Sequence, residues 1–219
     1  MNQSKLASNT GKSITADLFS VNGQSFMVCV LGLFTTHKPY LVKLIDCSGS
    51  MSGSRMKAAS LIHKYQVKGK TLPTVFYNYQ AHVVKPTKPA MKADYGTNIE
   101  PGIITVADLM KNFKKQQKSP IHLVIVSDGG DYTYETNQCL EKEFKALISP
   151  LFTTSCILLG TSACADFGEN AHRSANDGMT KSQHDIFVSD PPCGDEQQRR
   201  KIVTNMANNI PSYVKVRFA

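Results

Sequence analysis

Short apolar runs that stop at a polar residue alternate along this chain with longer segments of helical period. Tyr40 to Ile45 (YLVKLI) is largely apolar and ends at Asp46, the pattern of a strand buried on both faces. Beyond the turn Cys47-Ser48-Gly49-Ser50-Met51-Ser52-Gly53-Ser54, the stripe Ala58, Leu61, Ile62 and Tyr65 predicts a helix from Arg55 to about Lys68, with Gly69 as its stop. Thr74 to Lys85 predicts two extended segments joined tightly around Gln80. A helix is predicted over Glu100 to Gln117, with Pro101 in its first turn and Ile103, Ile104, Ala107, Leu109, Met110 and Phe113 as its buried positions. Ile121 to Ser127 (IHLVIVS) is the most apolar strand candidate and it too ends at an aspartate, Asp128. A helix over Cys139 to Ile148, strands at Ser155 to Gly160 and Asp185 to Val188, a helix over Asp195 to Asn209 and a strand over Ser212 to Phe218 complete the pattern.

This alternation predicts an α/β protein, doubly wound, with a mostly parallel central sheet covered by helices on both faces. In such sheets binding sites form outside the carboxyl ends of the strands, where Asp46 and Asp128 both fall. Residues 1–39 are expected to be an extension that adds a strand through Phe26 to Phe34 (FMVCVLGLF). Residues 40–210 form the α/β domain and 211–219 a carboxyl-terminal strand, expected beside the added one.

Composition narrows the class. With 219 residues, 41% of them apolar and 19% charged, the chain has ordinary globular usage. Its longest apolar run, Phe26 to Phe34, is half of the roughly 20 residues that a membrane-spanning helix needs. No membrane span is therefore expected. The first residues lack the apolar stretch of a secretory leader, so a cytoplasmic location is expected, and six cysteines without a paired CxxC spacing read as free thiols. Charge is asymmetric: residues 1–93 hold twelve Lys or Arg against Asp17 and Asp46, while residues 94–219 hold thirteen against fifteen acids. A basic half attracts polyanions, but no recognition motif accompanies it. A nucleic-acid-binding subunit is kept only as an alternative.

Asp46-Cys47-Ser48-Gly49-Ser50 places one carboxylate and two hydroxyls in a single turn at a strand end, among small residues that let the backbone curl around an ion. Hard oxygen donors of this kind suit Mg²⁺, Mn²⁺ or Ca²⁺. With this Asp-x-Ser-x-Ser turn, the Gly96-Thr97-Asn98 segment before the second helix and the strand Val124-Ile125-Val126-Ser127 ending in Asp128-Gly129, the chain resembles a von Willebrand factor A domain over about residues 40–210. The three loops resemble the family's metal-ion-dependent adhesion site, and all five ligand positions carry over: Asp46, Ser48, Ser50, Thr97 and Asp128.

The resemblance implies a Rossmann-like fold and one divalent cation, Mg²⁺ first, with Mn²⁺ or Ca²⁺ served by the same donors. It implies that Ser48, Ser50 and Thr97 ligate the ion and that Asp46 and Asp128 anchor it directly or through water. An open position, normally held by water, is then completed by an Asp or Glu of a protein partner, so the implied function is a non-catalytic, metal-dependent protein-binding module. Intracellular relatives commonly work within multiprotein assemblies, and in some members partner binding moves the last helix, here Asp195 to Asn209.

Other readings of these residues are available. Each of the five is also a favoured cap or turn residue, and Glu100 and Asp131 read as surface acids or as outer partners of the site. A metal-dependent phosphohydrolase would also place an aspartate after the first strand, but Ser48 stands where its second acid is wanted. Thr10-Gly11-Lys12-Ser13 lacks the earlier glycine and the preceding strand of a phosphate loop. Cys164, His172, His184 and Cys193 do not have the paired spacings of a structural zinc site. The Cys47 thiol is expected to point into the core, and Lys111, Lys114, Lys115 and Lys118 read as a solvated helix face.

Overall fold

A computed structural model of the chain describes residues 6–7, 13–21, 24–117, 120–130, 133–145, 152–160, 186–189, 195–210 and 213–217. In chain order the elements are β1 (Leu6–Ala7), β2 (Ser13–Val21), β3 (Gln24–His37), β4 (Tyr40–Asp46), α1 (Ser54–Lys64), β5 (Thr71–Tyr77) and β6 (Ala81–Val84). They continue with α2 (Glu100–Gln117), β7 (Ile121–Ser127), α3 (Tyr134–Lys145), β8 (Phe152–Leu159), β9 (Ile186–Ser189), α4 (Glu196–Asn209) and β10 (Tyr213–Arg217). The chain divides into two compact units, Met1–His37 with Ser212–Ala219, and Lys38–Pro211.

The smaller unit is an antiparallel sheet in the order β1-β2-β3-β10. Its register runs from Val21↔Gln24 to Ser13↔Gly32 across β2 and β3, and Tyr213 pairs with His37 where β10 lines the other edge of β3. Three strands thus lie within residues 1–39, where the sequence led to the expectation of one.

The larger unit is a six-stranded sheet in the order β6-β5-β4-β7-β8-β9, parallel except for the β5–β6 hairpin. Successive residues of each central strand feed opposite cores. Val42, Leu44, Leu123 and Ile125 pack with Ile103, Val106 and Met110 of α2 and with Leu140 and Phe144 of α3. Leu41, Ile45, Val124 and Val126 pack with Ala58, Ala59 and Ile62 of α1 and with Met206 of α4. Two covered faces explain why β4 and β7 read as continuous apolar runs, and this is the doubly wound α/β architecture. Among the described residues no helix is long and apolar enough to cross a membrane.

Lys43 interrupts the pattern in β4. It is fully buried, and its ammonium donates to the carbonyls of His63 (2.6 Å) and Tyr65 (2.7 Å) at the end of α1, where the helix dipole is negative. Burial lowers its pKa to about 7. These two bonds cap α1, and Tyr65 is already extended, so the helix stops at Lys64 rather than at the expected Lys68. Two other boundaries differ. Strand β5 begins at Thr71 because Pro73 falls at a register shift opposite Leu41 and Lys43, where the ladder does not require its missing N–H. Helix α3 begins at Tyr134 because the Thr133 hydroxyl accepts the Thr136 N–H and starts the helix five residues before the apolar stripe does. In α2, Ile104 is 44% exposed while Val106 is buried, so the buried stripe is rotated from the expected one.

Candidate metal centre

Strands β4 and β7 are parallel neighbours, with Ile45 opposite Val126, so their carboxyl ends deliver Asp46 and Asp128 to one edge of the sheet. After Asp46 the chain turns through a single 3₁₀ turn at Gly49–Met51, and Gly53, at φ +75°, redirects it into α1. Asp46 Oδ1 accepts the Ser48 N–H at 2.8 Å, which closes the turn and brings the Ser48 and Ser50 hydroxyls to 3.0 Å from one another. From β7, the Ser127 hydroxyl donates to Asp46 Oδ2 at 2.9 Å and accepts the Gly129 N–H. The buried Tyr77 hydroxyl of β5 interacts with both Asp46 and Ser127. Asp46 therefore sits 1% exposed among neutral partners. Burial pushes its pKa up, the Ser48 and Ser127 hydrogen bonds oppose that rise, and the Asp128 charge adds to it.

Asp128 is also buried, with Oδ1 accepting the Gly130 N–H at 3.2 Å and Oδ2 paired with the Arg55 guanidinium at 2.7 Å. The Gly96-Thr97-Asn98 segment is tethered on its amino-terminal side to the turn after β4 and at its other end to the residue after β5. Ser48 and Asp94 form a β-bridge, with the Asp94 N–H donating to the Cys47 carbonyl at 2.9 Å, and the Asn98 N–H donates to the Asn78 carbonyl at 2.8 Å. Gly96 lies at φ +88°, and a Cβ there would clash with the Tyr79 ring. Thr97 follows, half-buried, while the Asn98 side chain accepts the Glu100 N–H and starts α2.

The geometry thus gathers Asp46, Ser48, Ser50 and Asp128 from two strand ends and holds the Thr97 segment alongside the first of them. Sequence reasoning missed three contributors: Ser127, Tyr77 and Arg55. Ser127 had a visible cue, since it immediately precedes Asp128. Asp131 and the Cys164, His172, His184 and Cys193 group lie outside the described residues. Cys47 is buried with its thiol donating to the Tyr77 carbonyl at 3.1 Å, and burial raises its pKa to about 12, so it does not supply a thiolate nucleophile at neutral pH. Lys111 is not merely solvated: it bonds Glu143 of α3 at 2.6 Å.

The donor set fits a hard divalent ion. Two near-buried carboxylates repel one another, and two hydroxyl oxygens stand together on the turn that also bonds Asp46. Among the described residues no three His, Cys, Asp or Glu side chains cluster as a metal site, so an ion here depends on hydroxyl oxygens.

No family model matches the sequence, and no curated protein matches it. Among solved structures the chain is similar to a von Willebrand factor type A protein from Catenulispora acidiphila, with a TM-score of 0.57 and 16% identity over 91% of this chain and 45% of that one. The SpRpn10 VWA domain aligns with a TM-score of 0.54 and 12% identity over 79% of this chain and 97% of that domain. The manganese-loaded TRAP protein of Plasmodium vivax aligns with a TM-score of 0.51 and 10% identity over 84% of this chain and 78% of its own. The fold is therefore that of a von Willebrand factor A domain, an α/β Rossmann-like sheet.

Proposed function

We propose that this chain is a non-catalytic binding module that holds one divalent cation, Mg²⁺ first and Mn²⁺ or Ca²⁺ as alternatives, at Asp46, Ser48, Ser50, Thr97 and Asp128. Through that ion it recognises an Asp or Glu side chain of a protein partner. One observation carries the reading: Asp46 and Asp128 are buried close enough to repel, and the Ser48 and Ser50 hydroxyls lie 3.0 Å apart on the same turn. Arg55 offsets the charge of Asp128, but Asp46 has only neutral hydrogen-bond partners and stays disfavoured by its burial, a cost that a divalent ion with oxygen ligands relieves. The likeness in fold to a manganese-loaded protein supports the choice of ion class.

When bound, the cation supplies a Lewis-acidic position for an external carboxylate. The chain's own residues orient it. Ser127 and Tyr77 fix Asp46, and the Cys47–Asp94 bond fixes the approach of the Thr97 segment. Ser48 stands where a phosphohydrolase would want a second acid beside Asp46, which favours binding over hydrolysis. Among the described residues the free thiols of Cys47, Cys139 and Cys156 agree with a reducing, cytoplasmic compartment.

The test is thermal unfolding of the wild type and Asp46→Ala in EDTA and in millimolar Mg²⁺, Mn²⁺ or Ca²⁺. At about 100 times its dissociation constant, a ligand specific to the folded state adds roughly 2.7 kcal/mol. A rise in melting temperature for the wild type that is absent in the variant is expected. No rise, together with no heat in a calorimetric titration, overturns the reading.

A further inference from the structure

Arg55, the second residue of α1, reaches across 73 positions of sequence to the other side of the site. Its Nη1 donates to Asp128 Oδ2 at 2.7 Å and to the Ser50 carbonyl at 3.0 Å, so one guanidinium joins the turn after β4 to the end of β7. A third element makes room for it. Gly160, directly after β8 and at φ +124°, is buried, and a Cβ placed there would lie 2.5 Å from Arg55 Nη2. The cation is accommodated by the fold and is not a loose surface charge: its side chain is 23% exposed and that of Asp128 is 5% exposed.

Each oxygen of Asp128 accepts a hydrogen bond, Oδ1 from the neutral Gly130 N–H and Oδ2 from the Arg55 cation, whose charge opposes the approach of a metal ion, whereas the Asp46 oxygens accept only from neutral groups. Formal charge then decides what the site prefers. Asp46 and Asp128 alone would neutralise a divalent ion, whereas with Arg55 included the filled site keeps one net positive charge.

Resting on the metal-site reading above, we propose that Arg55 is a built-in counter-ion of the site. It holds Asp128 back from direct ligation, weakens the hold on the cation, and leaves the filled site with the single positive charge that one incoming carboxylate neutralises. Arg55 is thus a positioning residue that favours an acidic partner group over a neutral one.

The experiment is calorimetric titration of Mn²⁺ into the wild-type chain, Arg55→Gln and Arg55→Lys, with melting curves of each in EDTA and in Mn²⁺. Removing a cation in contact with a ligand carboxylate strengthens the hold of that carboxylate on a metal ion, by about tenfold. Arg55→Gln is therefore expected to bind Mn²⁺ about tenfold more tightly than the wild type, with Arg55→Lys close to the wild type. General damage to the fold would move affinity the opposite way. An Arg55→Gln protein that unfolds in EDTA supports the inference only if it refolds at Mn²⁺ concentrations below those that raise the melting temperature of the wild type, because a merely destabilised protein would need more of the ion. Equal or weaker binding by a folded Arg55→Gln, or unfolding that Mn²⁺ at those concentrations does not reverse, overturns the role of Arg55 and leaves the metal site standing. Absence of Mn²⁺ binding in all three proteins overturns both.

Discussion

The hydroxyl of Ser127 donates to Asp46 Oδ2 at 2.9 Å, joining the last residue of β7 to the last residue of β4 inside the sheet edge that forms the site. The same oxygen accepts the Gly129 N–H, so one side chain both satisfies a buried carboxylate and shapes the loop that carries Asp128. Ser127→Ala leaves both groups short of a partner. Removing one member of a buried hydrogen-bonded set costs about 1–3 kcal/mol, more where the partner is charged. A loss in that range is expected from urea denaturation in EDTA, and a variant within a few tenths of the wild type would show that Asp46 does not depend on this donor.

Gly96 is required by its conformation, at φ +88°, since the Tyr79 ring beside it belongs to an exposed side chain that can turn aside. A β-carbon there meets the Tyr79 ring, and a non-glycine residue at positive φ carries a backbone cost of about 1–3 kcal/mol. Gly96→Ala is expected to lower stability by at least that much and, by displacing the adjoining Thr97, to blunt the cation-dependent rise in melting temperature. Unchanged stability would mean that residue 96 does not hold its positive φ in solution.

Lys43 makes stability depend on pH above neutrality. The folded protein releases the Lys43 proton near pH 7, whereas the unfolded chain holds it to the ordinary 10.5, so between these values the unfolded state binds more protons. Stability contributed by Lys43 is present above pH 10.5 and lost as the pH falls through 7, with a slope of up to about 1.4 kcal/mol per pH unit. Lys43→Met removes the titration while keeping an unbranched apolar stem. The stability of the wild type relative to Lys43→Met is expected to increase from pH 7 to pH 10 in denaturant titrations. A flat difference would show that the His63 and Tyr65 carbonyls keep Lys43 protonated despite its burial.

These contacts also explain what could be read from the residues and what could not. Strands β4 and β7 were legible because burial on both faces leaves runs that are apolar apart from Lys43 and His122, and the aspartate that ends each run marks the sheet edge where the candidate site lies. Strand β5 was legible only from Thr74, because a proline inside a strand is ordinarily a reason to end it and the register shift that tolerates Pro73 depends on its neighbour β4. The β2–β3 hairpin had a cue in Asn22-Gly23 between two extended segments, but the intervening polar residues of β2 hide its alternation. Ile104 was misplaced because adjacent isoleucines point about 100° apart on a helix and apolarity alone does not say which faces inward. The Arg55–Asp128 pair was beyond reach, since its partners are brought together by sheet order and by the absence of a side chain at Gly160.

On the proposed metal-site reading Asp46 exchanges stability for ion binding, and a conservative variant separates the two. Its carboxylate is disfavoured in the fold, first by burial and also by the nearby Asp128 charge, while Ser48 and Ser127 recover part of that loss. Asp46→Asn removes the charge and retains an oxygen that can accept the Ser48 N–H, and the Ser127 hydroxyl can turn to accept from the new amide. In EDTA, Asp46→Asn is therefore expected to melt above the wild type. In millimolar Mg²⁺ or Mn²⁺ the order reverses, because only the wild type has two carboxylates to offset the ion. Melting curves of both proteins across the two conditions read this crossover directly. A wild type that is the more stable protein even in EDTA would mean that the Ser48, Ser127 and Tyr77 bonds already compensate the buried charge without any cation.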